Sequence, residues 1–217
     1  TMDDAIECLE RAFRQLVEGT ATHRPRCDLY APSDMPDGYY RWGTMEGYND
    51  GIFAIRMKSD VMTWPEDDDG NWTEDKYCVQ PGTYCGLIML FSAMNGEPLA
   101  FINDGVLQHM RVGADGGIGV KYMSREDSHV VGMLGSGGMA HSHIDAFMCV
   151  RDIRKLQVFS PTRANCEAFA AAVREKRGIE VTVCDQASDI YKGADIVAGC
   201  TDSAIPVIDA DCLEAGQ

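Results

Sequence analysis

Residues 129–140 read HVVGMLGSGGMA. The first six make a short apolar run of strand length. Gly135-Ser136-Gly137-Gly138-Met139-Ala140 follows as GxGxxA, and Ala140, Ile144, Phe147 and Met148 then recur at helical spacing. In a strand–turn–helix setting each small residue has a task. Gly135 permits the tight turn, Gly137 lets the backbone approach a pyrophosphate with no Cβ in the way, and Ala140 lets the helix lie close on the sheet. The helix N-terminus supplies unpaired N–H donors, among them those of Gly138 and Met139, and a partial positive charge. The alternative is a flexible glycine turn with no ligand.

Downstream the pattern continues as a regular alternation. Apolar strands are expected at 129–134, 156–159, 181–184 and 196–200, with helices at 139–150, 163–175 and 187–192, and Val207-Ile208 is read as the start of another strand. Alternating β and α predicts a parallel sheet covered on both faces, a Rossmann-type doubly wound α/β fold for residues 126–217. NAD-selective sites carry an Asp or Glu where the second strand ends. Here that strand ends Val158-Phe159-Ser160-Pro161-Thr162-Arg163 with no carboxylate. Ser160, Thr162 and Arg163 can instead meet a 2′-phosphate, which favours NADP(H) within an NAD(P) reading. Otherwise Arg163 simply starts the helix facing solvent.

Residues 1–125 read as a smaller α+β domain. Thr1-Met2-Asp3-Asp4 resembles a capping box, Ile6, Leu9, Phe13 and Leu16 fall at helical spacing, and Gly19 ends the run. Residues 23–50 are rich in Pro and Gly and read as loop and turn. A strand is expected at 52–62, an acidic turn at 66–71 that does not match a calcium loop, and strands at 85–91 and 98–102 joined through Asn95-Gly96. Residues 106–123 read as a helix despite Gly113, Gly116, Gly117 and Gly119, whose presence suggests close packing against another element.

Composition limits the function classes. The chain has 217 residues, 19 basic and 34 acidic, a formal charge of −15. That balance argues against nucleic-acid or anionic-membrane partners, which basic side chains must neutralise. The longest apolar run, 87–91, falls far short of the roughly 20 residues that span a bilayer. Nine cysteines without a CxxC pair fit a reducing cytoplasm, and no metal site is expected. His141 and His143, two apart on a helix, share no face and are read as surface or packing residues.

The glycine turn with His141-Ser142-His143, the Ser160-Pro161-Thr162-Arg163 strand end, Cys200-Thr201-Asp202-Ser203, and Asn95-Gly96-Glu97-Pro98-Leu99-Ala100 followed by Leu107 and Arg111 resemble the ornithine cyclodeaminase/mu-crystallin family. The resemblance implies a homodimer with a substrate and dimerisation domain ahead of the nucleotide domain. It implies action on a small amino acid or cyclic imine. Ornithine cyclodeamination, with hydride transfer at Cα and cyclisation to proline, is the form put first. The alternatives are an NADPH-dependent ketimine reductase or alanine dehydrogenase, and a non-catalytic binder of NADPH and a small ligand. Arg111 matches the family arginine that grips the substrate carboxylate, and Arg26 matches a second. The family lysine belongs on the strand holding Arg56 and Lys58. Spacing to Pro65 favours Lys58 for the proton-relay role and leaves Arg56 toward the substrate. Thr83 matches a cofactor-contacting threonine and Thr201 one near the nicotinamide. For Arg26, Lys58 and Arg111 the alternative is a solvent-facing cation paired with a carboxylate. Departures are Gln108 and Val112 where the family has threonines, and residues 66–77, which read as an insertion. The 89 residues from His129 onward are few for a complete dinucleotide fold, so the chain is expected to be a fragment.

Overall fold

The computed structural model describes residues 1–66, 68, 70, 72–77, 86–203 and 205–217. They form two compact units, Glu7–Gln108 and Thr1–Ile6 with His109–Gln217.

In the first unit, five strands lie in sequence order as one antiparallel path: β1 (Thr22–Pro32), β2 (Tyr39–Asn49), β3 (Ile52–Thr63), then, after the short β4 (Asp75–Tyr77), β5 (Leu87–Ser92) and β6 (Pro98–Asn103). β3 organises the sheet. One edge pairs with β2 along its whole length, and the other pairs with β5 through Ile52–Met57 and with β4 through Val61–Thr63. The strands β1 and β2 correct the reading of 23–50 as loop. Their prolines sit where a sheet tolerates them: Pro25 falls in the register shift between Arg24 and Cys27, and Pro32 ends an edge strand. The turn between β2 and β3 is Asp50-Gly51, both at positive φ, the geometry of a two-residue hairpin.

In the second unit, β7 (Val130–Leu134), β8 (Lys155–Phe159), β9 (Glu180–Val183) and β10 (Ile196–Gly199) form a parallel sheet of order β10-β7-β8-β9. The first strand in sequence thus lies inside, with the chain turning outward on both sides. This is the doubly wound α/β arrangement expected from the alternation. Val131, Met133, Leu156 and Val158 point to one face, where α3 (Gly138–Val150) and α4 (Arg163–Arg177) bury Ile144, Phe147, Phe169 and Val173. Leu134 points to the other and meets Ile190 and Tyr191 from the 3-10 turn Ala187–Tyr191. Val207 joins that cluster from a loop, so Val207-Ile208 does not begin a strand. Its apolar character serves packing there, not a sheet edge.

Helices α1 (Met2–Glu18) and α2 (Gly105–Met123) follow the expected spacing. At the start of α1 the Asp4 N–H donates to Thr1 Oγ1 at 3.2 Å, while the Thr1 hydroxyl and amino group donate to the Asp4 carboxylate. The glycines of α2 do admit a neighbour. A Cβ at Gly113 would stand 2.5 Å from the Ser142 carbonyl oxygen of α3, and one at Gly117 would stand 3.0 Å from Ala146. Arg151, just past α3, donates to the carbonyls of Val120, Lys121 and Ser124 and so satisfies the open C-terminal end of α2.

These contacts predict opposite outcomes for two alanine substitutions. Gly132→Ala sets a methyl into the Ile190 carbonyl and should cost about 1–3 kcal/mol in urea unfolding. Gly119→Ala, with open space around it on α2, should gain up to about 1 kcal/mol.

Candidate functional site

The glycine turn is built by three strand ends. Gly135 follows β7 at φ 105°, and a Cβ there would collide with the Cys200 carbonyl oxygen. Its N–H donates to Phe159 O at the end of β8 at 2.8 Å, and the Cys200 N–H beyond β10 donates to Leu134 O at 2.7 Å. β7 lies between β8 and β10, so the turn opens at the carboxyl ends of the strands where the winding reverses. That is the place at which open α/β sheets bind ligands.

The turn fits a dinucleotide's diphosphate on two counts. Gly137, the N-cap of α3, makes no side-chain cap bond, which leaves the first N–H groups of α3 without that partner. A Cβ at Gly137 would meet no protein atom within 4 Å. The protein's own packing therefore does not require glycine there, whereas a group approaching the backbone does. Gly138 is different: its Cβ position stands 3.0 Å from His109 Nε2, so the α2 histidine backs this turn. Ala140 is fully buried. Burial pushes the Cys200 thiol up to about 11, so it stays protonated beside the turn at neutral pH.

At the end of β8, Ser160 is half-buried and Thr162 caps α4 without using its hydroxyl for a cap bond. Arg163 is exposed and ion-paired at 2.8 Å to Glu167 and 2.6 Å to Asp185. Thr201 is exposed, and its hydroxyl oxygen accepts from the Ser203 N–H. His141 and His143 are packing residues. His141 meets the Phe169 ring edge-on, and His143 Nδ1 donates to Met139 O at 2.7 Å. Arg111 on α2 is half-exposed, with Asp115 at 3.2 Å one turn on. Such an i,i+4 pair is weak and exchangeable. Burial raises the Asp115 carboxyl, against the charges of Arg111 and His143.

In the other unit, one face of the sheet gathers Arg26, Arg41, Arg56, Lys58 and Asp60. Side chains alternate along β3, so Arg56, Lys58 and Asp60 share a face. Arg41 lies directly opposite Asp60, and Gly43 lies opposite both Lys58 and Asp28. Arg26 joins the same face: its Nε donates to Asp28 Oδ1 at 2.7 Å and lies 3.5 Å from the Cβ position of Gly43. Arg56 is committed to two acceptors, the buried Asp104 carboxylate and Gln108 Oε1 at 2.8 Å. Arg41 grips Asp60 through two bonds of 2.9 and 2.6 Å, and Lys58 Nζ stands 3.2 Å from the same carboxylate. Burial lowers the Lys58 pKa, Asp60 pulls it back up, and the Arg41 charge adds to the depression.

The structure thus brings Arg26, Arg56 and Lys58 to one face. Arg111 belongs to the other unit, with the glycine turn. Thr83 lies outside the described residues. Arg41, Asp60 and His109 were missed. The alternation Arg56-x-Lys58-x-Asp60 carried a signal for Asp60, whereas Arg41 was hidden by the loop reading of its strand.

The ornithine cyclodeaminase/mu-crystallin family pattern matches residues 1–217, and the chain belongs to that family. It is 29% identical over 216 residues to the alanine dehydrogenase of Archaeoglobus fulgidus, covering 100% of this chain and 61% of that protein. The Thermococcus litoralis Δ1-pyrroline-2-carboxylate reductase, solved with NADH and L-proline, superposes with a TM-score of 0.80 at 27% identity, covering 100% of this chain and 62% of the other. An archaeal alanine dehydrogenase dimer with bound NAD gives 0.78 at 26% identity, covering 100% and 61%. The chain spans about three fifths of the length of the curated relatives that it matches end to end.

The two turn glycines should separate stability from binding. Gly137→Val should weaken NAD(P)H binding by about tenfold or more in a fluorescence titration while the protein melts near wild type. Gly135→Val should cost more than about 1 kcal/mol of stability, because its φ and the Cys200 carbonyl both exclude a side chain.

Proposed function

We propose that the protein is an NAD(P)-dependent oxidoreductase acting at the α-carbon of a small amino or imino acid. The observation that carries this reading is the Gly135–Ala140 turn, whose uncapped α3 N-terminus and open Gly137 suit a diphosphate. A bound nicotinamide cofactor would supply hydride-transfer chemistry at the substrate Cα. The chain's own groups do the rest. Arg111 exchanges its weak Asp115 partner for the substrate carboxylate, to which its fork donates two parallel bonds. Arg26 supplies a second cation, and Arg56 holds the polar face in order through Asp104 and Gln108. Lys58, its proton loosened by burial, gives or takes a proton at the substrate nitrogen. Gly137, Gly138 and Met139 hold the diphosphate, with Thr83 and Thr201 assigned to the cofactor on the family resemblance.

Ornithine cyclodeamination, ketimine reduction and alanine dehydrogenation are all forms of this hydride step. A panel on the full-length protein distinguishes them. Ammonia and proline from ornithine with catalytic NAD and no net cofactor change indicates the cyclodeaminase. Net NADPH oxidation with pyrroline or piperideine carboxylates indicates the reductase, and net NAD(P) reduction with alanine, releasing ammonia, indicates the dehydrogenase. Cofactor binding with no turnover on any of these substrates contradicts the oxidoreductase reading. For the ribose end NADP(H) is favoured, because no carboxylate closes β8 and Ser160 and Thr162 have hydroxyls to offer. Arg163 must leave Glu167 and Asp185 to join them.

The sheet's second face supports a homodimer. Leu29, Trp42, Phe53 and Phe101 lie there beside the Arg24–Glu46 ion pair, with Leu29 60% and Phe101 65% exposed, a largely apolar surface suited to a second copy. The seven described cysteines are free thiols, in keeping with a reducing cytoplasm. No helix among the described residues is long and apolar enough to cross a membrane.

Arg111→Ala should lower kcat/KM by about 10- to 100-fold, the loss of charge-assisted bonds to the substrate. Near-normal kinetics would refute the assignment. Lys58→Ala should lower kcat by about 100-fold or more. The limb of the wild-type pH–rate profile that Lys58 sets should lie below the ordinary lysine range.

A further inference from the structure

Two buried charged side chains on the β3 face have no part in the chemistry proposed above. Arg41 is 3% exposed and Asp60 6%. Taking both out of water is costly, and apolar residues of the same volume would often serve stability as well. Their geometry shows a use. The planar Arg41 fork takes both carboxylate oxygens, which fixes the plane of Asp60, and Oδ2 still faces Lys58 Nζ at 3.2 Å. All three residues lie on paired strands, Arg41 directly across from Asp60 and Lys58 two residues before it, so the constellation sits on a rigid element.

Resting on the reading of Lys58 as the proton-transfer group, we infer that Asp60, clamped by Arg41, is a positioning residue for Lys58. It holds the amine on this face and sets the charge balance against which the lysine gains and loses its proton. The signs follow from the neighbours. Arg41 and Lys58 together carry +2 and Asp60 −1, so the triad keeps one excess positive charge, which favours releasing a proton or receiving an anionic substrate. A carboxylate facing the lysine alone would hold its proton firmly. The Arg41 guanidinium opposes part of that attraction. The other described charged groups near Lys58 are Lys76 on β4, Glu74 beside it, the Arg26–Asp28 pair beyond Gly43, and the Arg56–Asp104 pair two residues back along β3. Lys76 and Glu74 are paired with each other at 2.6 Å, so each of these flanking pairs is close to neutral.

The inference requires opposite responses from the two partners. In the full-length protein, competitive acetylation across a pH series, read by mass spectrometry on the Lys58 peptide, gives the titration midpoint of that amine. Asp60→Asn should lower the midpoint, because Lys58 then faces Arg41 unopposed. Arg41→Gln should raise it, because Asp60 is left to Lys58 alone, each by about one unit or more. Circular dichroism checks folding. Should either variant fail to fold, Asp60→Glu and Arg41→Lys keep the charges but break the fork. They should disperse Lys58 reactivity and lower kcat while leaving KM near wild type. Folded variants with unmoved midpoints, or midpoints moving in the same direction, would overturn the inference, as would unchanged reactivity and kcat in the conservative pair. Opposite shifts with an unmoved pH–rate limb would uphold the positioning of Lys58 and refute its proton-transfer role, so failure of the functional reading is separable.

Discussion

The glycine turn after β7 depends on a close approach between two backbones. Gly135 leaves β7 at a φ that L side chains rarely adopt, against the carbonyl of Cys200 beyond β10. The Cys200 N–H donates back to Leu134 O, and Gly135 N–H donates to Phe159 O. One turn is thereby tied to the ends of both neighbouring strands. The constraint aims the N-terminus of α3 at open space. It also explains how a chain of net charge −15 can hold an anionic cofactor: backbone dipoles and N–H groups supply the positive potential locally, without a basic patch.

The other unit separates its chemistry by the two faces of one sheet. The alternation of side chains along β3 places Arg56, Lys58 and Asp60 on one side and Phe53, Ile55 and Met57 on the other. Pairing across β2 then supplies Arg41 as the partner of Asp60 and leaves Gly43 as a gap opposite Lys58. The Arg26–Asp28 pair reaches over that gap from β1. The register of two long antiparallel strands therefore determines which cations meet which carboxylates. A slip of one residue would turn every one of these charges to the opposite face.

Much of this was legible in the residues. The GxGxxA turn between an apolar strand and a helical pattern located the parallel-sheet unit, because both the 2-residue and 3.6-residue periods change at one place. The glycines of α2 signalled a close neighbour, and α3 provides it through Ser142 and Ala146. Residues 22–49 were not legible as strands because Pro25, Pro32, Gly43 and Gly47 argue locally for turns. The sheet accommodates them through a bulge, an edge and a gap, which are tertiary circumstances. Asp50-Gly51 was the overlooked local signal. The parallel strand order was also beyond the sequence, since alternation predicts a parallel sheet but not which strand lies inside. The charged triad of Arg41, Asp60 and Lys58 required cross-strand register, which only folding supplies.

The central claim is that backbone N–H groups at the start of α3 hold a nicotinamide dinucleotide. A crystal structure of the full-length protein with NADH or NADPH tests it most directly. The account requires diphosphate oxygens within hydrogen-bond distance of the backbone nitrogens of Gly137, Gly138 or Met139, and the nucleotide lying across the carboxyl ends of β7 and β10. A saturated complex with the diphosphate bound anywhere else would contradict it.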